Sequence, residues 1–206
     1  MVRKLFLLAT VFCLQISLHA QQSVATSAGR LKGLPISFEE NQGQVDSQVR
    51  YLGHAGNGTI YFTSAETVLT LLSQDAQKKP EVSVLRLKWI GANPHAQVVA
   101  DHPLRGRINY LIGRDSSQWH TGIPTYAQVH YRNLFPGVDA VFYGKESQIE
   151  YDLVLAPGVD PAKISFIAQG ARFMKLARNG DLVLGLEHGQ VLERRPMAYQ
   201  EENGTR

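Results

Sequence analysis

Two carboxylates two residues apart, Glu150 and Asp152, lie in a stretch where apolar and polar side chains alternate. In an extended strand residues i and i+2 share a face, so both carboxylates project together. Such a pair could bind calcium through oxygen ligands or divide acid and base work in glycoside hydrolysis. Asp139 and Asp160 end the two copies of a Pro-Gly-Val-Asp tetrapeptide, Pro136–Asp139 and Pro157–Asp160, and would add ligands if those loops converged. The same residues also have a plainer reading: an acidic pair on a solvated strand face, and Asp side chains that bond the backbone N–H groups of their own turns. No Asp-x-Asp-x-Asp-Gly loop occurs, so calcium rests on loop convergence alone and no other cofactor is expected.

A second polar constellation is Glu39-Glu40-Asn41-Gln42-Gly43-Gln44. Glu40, Asn41, Gln42 and Gln44 could recognise a polar ligand such as a glycan, beside aromatic residues such as Tyr51 and Trp119. The competing reading is a loop whose amides satisfy its own backbone. Six histidines follow position 20 (His54, His95, His102, His120, His130 and His188), none at metal-helix spacing and none in a His-Glu-x-x-His motif. No metal site is expected. Nucleophile elbow, phosphate loop and dinucleotide fingerprint are all missing, and no catalytic residue is assigned. A triad can assemble without a local motif, so catalysis stays open.

The elements that position these residues read as strands. Ile149, Tyr151, Leu153 and Leu155 alternate with the acidic pair, and each Pro-Gly marks a tight turn before a new strand. Short β-like runs recur about every ten residues from Pro35 onward, which predicts an antiparallel all-β, sandwich-like domain. Hairpins are expected at Ala55-Gly56-Asn57-Gly58, at Asn179-Gly180 and at His188-Gly189. Thr67–Leu72 fits strand and short helix alike. Val82 and Val84 are out of phase with Leu85, Leu87 and Trp89, which suggests a bulge. Asp160-Pro161-Ala162-Lys163 is expected to form one helical turn.

Residues 1–20 have the pattern of a cleaved signal peptide: Arg3 and Lys4, then an apolar run from Leu5 to Leu18, then Ala20. The run is too short and too abruptly followed by polar residues for a transmembrane helix. Cys13, the sole cysteine, falls inside it, so a mature chain would hold no disulfide. The chain has 21 basic and 18 acidic residues; losing Arg3 and Lys4 leaves 19 against 18, a net charge of +1. That balance gives no reason to expect nucleic-acid binding. Residues 21–34 are small and polar, a flexible leader, and 35–206 read as one β-rich domain. Asn203-Gly204-Thr205-Arg206 has the composition of a further turn, the pattern of the front part of a longer protein.

The ordered set Arg107-Ile108-Asn109-Tyr110-Leu111-Ile112-Gly113, Trp119, Pro124-Thr125-Tyr126, Phe135–Asp139, Tyr143-Gly144, Glu150–Leu153, Pro157–Pro161 and Asn179–Leu182 carries a family signal. With Glu40–Gln44 before it and Pro196 and Tyr199-Gln200 after it, the chain resembles the N-terminal domain of secreted bacterial proteins with SBBP-type β-propeller repeats, a domain of unknown function. The resemblance implies an extracellular or cell-surface, non-enzymatic module whose partners are downstream propeller repeats and a surface glycan or protein. The alternative is an exported hydrolase or glycan-acting enzyme that uses strand carboxylates. The resemblance supplies no catalytic residues.

Overall fold

The computed structural model describes residues 6–15, 36–75, 77–146 and 148–201, with the backbone alone for 6–15 and 200–201. The described chain is built from strands: β1 Phe6–Gln15, β2 Phe38–Glu40, β3 Val49–Ala55, β4 Gly58–Thr63, β5 Glu66–Gln74, β6 Pro80–Trp89, β7 Gln97–Tyr110, β8 His120–Phe135, β9 Val138–Lys145, β10 Gln148–Leu155, β11 Phe166–Gln169, β12 Phe173–Leu176, β13 Leu182–Gly185, β14 Gln190–Glu193 and β15 Met197–Glu201. Two single-turn 3-10 helices, Ser116–Gln118 and Pro161–Lys163, complete it. The second is the turn expected after Asp160, whose carboxylate accepts from the Ala162 N–H. The residues of the leader, 21–34, and of the terminal Asn203–Arg206 turn lie outside the described residues.

All pairings are antiparallel, and the strands run in the order β11-β6-β5-β4-β3-β2-β8-β9-β10-β1-β14-β13-β12, with β7 on β8 and β15 on β1. Strands far apart in that order meet face to face, so the sheet curls back on itself like a sandwich. Phe62 of β4 packs edge-on against Phe142 of β9 at 5.0 Å between ring centroids. Trp89 of β6 does the same against Tyr151 of β10 at 6.1 Å. Aromatic pairs in this geometry gain somewhat beyond their buried area. Phe38, Leu69, Leu85, Tyr131 and Ile149 fill the space around them.

Local chemistry explains the turns. Gly56, Gly137, Gly180 and Gly189 all adopt positive φ between paired strands, as the hairpin geometry requires. Thr67–Leu72 belongs to strand β5, which settles the helix–strand ambiguity: its register with β4 and β6 is continuous. The bulge expected at Val82 and Val84 is not there. β6 pairs with β5 without a register shift, and both valines lie on the same exposed face as Arg86 and Lys88. Ser83 takes the inward position instead, where its hydroxyl bonds the His188 carbonyl.

Candidate functional site

The amide-rich loop between β2 and β3 closes on itself. Asn41 donates through Nδ2 to the carbonyls of Asp46 (2.8 Å) and Val49 (2.9 Å), and its Oδ1 accepts from the Gly43 N–H at 3.0 Å. Gln44 donates to the Glu40 carbonyl at 2.7 Å and accepts from the Gln42 N–H at 2.7 Å. Gln42 reaches the Glu40 carboxylate at 3.3 Å. These bonds stand where loop backbone would otherwise be unpaired. Beside the loop is an open cavity of about 330 Å³ lined by Glu40, Asn41, Arg50 and Tyr51, among others. Tyr51 packs edge-on against Tyr126. Trp119 lies elsewhere, donating toward the Gly113 carbonyl.

Glu150 and Asp152 share a face, as their spacing requires, but they are not a solvated pair. Glu150 is only 6% exposed, and Asp152 is half-buried. Side chains from β9 and β15 stand over the pair, while Val154 on the same face of β10 is exposed. Asp152 accepts from the hydroxyls of Tyr143 (3.0 Å) and Tyr199 (3.3 Å), and Lys145 Nζ approaches Glu150 at 3.6 Å. Burial, then the Asp152 charge, pushes the Tyr143 phenol well above its ordinary range. The arrangement holds Tyr143 protonated as a donor to Asp152. Asp139 serves its own hairpin, accepting from the Asn133 N–H. It does not join Asp160, Glu150 or Asp152 in any shared set of ligands, and no cluster of three or more metal-binding side chains occurs among the described residues.

Glu39 and Glu193 are buried carboxylates to which the sequence assigned no site role. Glu39 of β2 is 1% exposed and accepts through Oε1 from the Tyr110 hydroxyl (2.7 Å), while His54 Nε2 lies 3.1 Å from the same oxygen. His54 Nδ1 lies 3.0 Å from Thr59 Oγ1. Hydroxyl, imidazole and carboxylate thus stand in line, the order of a nucleophile relay. Thr59 and His54 are also direct cross-strand partners on a hairpin, and neither lines the cavity beside the amide loop. Glu193 of β14 is likewise 1% exposed and accepts from the Tyr151 hydroxyl at 2.5 Å. Burial raises its acid to about 7. The sequence could show only that Glu39 neighbours an acidic loop; its partners come from β3 and β7.

What the fold and these groups define is an all-β domain whose polar clusters are mostly bonded to one another. Residues 38–206 match a family described as a domain of unknown function, DUF7948. The chain belongs to that family. No curated protein and no solved structure matches it. Among the described residues no helix is long and apolar enough to cross a membrane.

Proposed function

We propose that this chain is a non-enzymatic extracellular module that precedes and supports β-propeller repeats and contributes to attachment at a surface. The observation that carries this reading is β12, Phe173–Leu176. Among the described residues it pairs with β13 on one side and ends the sheet on the other. Phe173, Met174 and Leu176 are 54%, 60% and 70% exposed, so both faces of this edge strand present apolar side chains. A free edge with apolar side chains is a ready template for another β structure, and proteins normally blunt such edges with charge or cover. Lys175 is the one charge on this strand. A β-rich neighbour such as a propeller blade has the chemistry to cover it, by strand edge and apolar contact. Export by the signal pattern of residues 1–20 would place the module outside the cell.

The test uses the complete exported protein. Deleting residues 35–206 should abolish binding to cells or matrix while the remainder stays folded. Met174→Lys combined with Leu176→Lys should leave the domain's thermal midpoint nearly unchanged and weaken that binding. Binding that survives both changes would count against the module.

A further inference from the structure

Before Thr125, β8 pairs with β7 alone among the described residues, so the two strands leave the sheet as a hairpin arm. Residues 102–122 are exposed except for half-buried Ile108, Tyr110 and His120. Polar contacts hold the arm in place. The Tyr110 hydroxyl donates to Glu39 Oε1 at 2.7 Å, and that carboxylate is buried in the sheet. The Thr125 hydroxyl donates to the Gly106 carbonyl at 2.8 Å, and the Gly122 N–H donates to Asn109 Oδ1 at 2.7 Å. Beyond Tyr110 and His120, the last pair in register, lies a tip of residues 111–119. Its hydrogen bonds run among its own residues. Asp115 accepts from the Ser117 N–H, the Trp119 N–H donates to the Ser116 carbonyl, and the indole N–H points at the Gly113 carbonyl at 3.4 Å. Two residues suffice to join paired strands, so this self-bonded tip is more than a connection needs.

The tip carries apolar side chains where a solvated turn would carry polar ones. Leu111, Ile112 and Trp119 are 57%, 72% and 38% exposed. Arg105, Arg107 and Arg114 stand on the arm and its tip. The ion pairs of the described residues engage Arg86, Arg172 and Arg194 but none of these three. The one carboxylate of residues 102–122, Asp115, is occupied by the Ser117 N–H and hydroxyl. We propose that this tip is a lipid-contact site, where Leu111, Ile112 and Trp119 enter the apolar boundary of a bilayer and the three arginines meet anionic headgroups. The proposal gives a chemistry to the attachment reading above and rests on it. Apolar side chains beside unpaired cations match an anionic lipid interface, because each basic residue near such a surface adds to binding. Trp119 suits that boundary: its ring is apolar, and its N–H already faces a carbonyl, so insertion strands no donor. A second copy of the chain would set arginine against arginine here. A folded protein partner would need a pocket shaped to the tip, whereas a bilayer accepts it without one.

The test is flotation of the exported protein with vesicles of phosphatidylglycerol and phosphatidylethanolamine, against vesicles of phosphatidylcholine alone. Binding should be confined to the anionic vesicles and should weaken as salt is raised. Leu111→Ser with Ile112→Ser should weaken it about tenfold or more, as should Arg105→Ala with Arg107→Ala, each with the thermal midpoint unchanged. Trp119 emission should shift to the blue on binding, and Trp119→Phe should remove that shift, because Trp89 is already buried. Equal binding to neutral vesicles would overturn the proposal. So would binding to neither kind, or paired variants that bind like the parent. The vesicles hold no propeller and no cell-surface partner, and Met174→Lys with Leu176→Lys should leave their binding unchanged. Failure at the tip and failure of docking at β12 therefore read separately.

Discussion

At the scale of single residues, Glu193 makes the sharpest claim. Its folded-state acid sits at about 7 against an ordinary 4.5, because burial penalises the charged form. Between those values the folded protein holds a proton that the unfolded chain has lost, so stability falls as pH rises. The contribution is complete below the unfolded value and is lost as pH climbs through about 7. A shift of this size corresponds to about 3 kcal/mol at most. Glu193→Gln keeps an oxygen to accept from the Tyr151 hydroxyl and cannot ionise. Urea unfolding should therefore show the parent losing stability from pH 5 to pH 8 relative to the variant. Parallel profiles would refute the burial argument. Asp181 acts in the opposite sense: the Arg195 N–H, with Arg194 and Asn179, holds its carboxyl below the usual range and stabilises it ionised. Glu193 was invisible in the sequence because it lies in a strand of four residues, and only the curl of the sheet brings Tyr151 of β10 to it.

Among the elements, turns were the most legible and edges the least. Pro136-Gly137, Asn179-Gly180 and His188-Gly189 place a glycine where φ is positive, so those turns could be placed from two residues, whereas the β4–β5 and β5–β6 turns carry no such dipeptide. The extent of β7 and β8 was not legible. Both run well past the apolar cores that announce them, through Pro103, Arg105, Arg107 and His120, and much of their length is exposed. Long-range backbone pairing, rather than a buried face, keeps those residues extended. Val82 misled for a related reason: an exposed β-branched residue satisfies strand geometry without satisfying burial. Glycine roles can be told apart by experiment. Gly158 and Gly170 both have positive φ, 83° and 97°, so alanine at either pays the left-handed penalty of about 1 kcal/mol. Around Gly158 a methyl group meets nothing, but at Gly170 it would lie 2.2 Å from the Val84 carbonyl oxygen. Gly170→Ala should thus cost clearly more than Gly158→Ala in urea unfolding, and loosen β11 from β6. Equal costs would mean that β11 yields freely.

For the whole molecule, closure of the sheet is the controlling event. β2 joins β8 by Phe38 opposite Tyr126, and β11 joins β6 by Phe166 opposite Trp89. Ser83 meets His188 across 105 residues. None of these pairings is rewarded until a long loop has been closed, so local hairpins can form early while the sandwich waits. A topology of this kind folds in milliseconds to seconds. The two tryptophans permit a clean measurement. Trp89 is 7% exposed at the meeting point of β6, β10 and β11, whereas Trp119 is 38% exposed on a loop. In a Trp119→Phe variant, Trp89 fluorescence reports closure alone. Refolding by stopped flow should show its signal arriving in a phase of milliseconds or slower, after hairpin-scale events are over. Phe142→Ala should cost about 3 to 5 kcal/mol at equilibrium, since Phe142 packs against Phe62, Tyr131 and Tyr151 at once. If the two halves of the sheet come together in the rate-limiting step, much of that cost must appear as slower folding. Burial of Trp89 within microseconds, or a variant that changes unfolding alone, would place sheet closure outside that step.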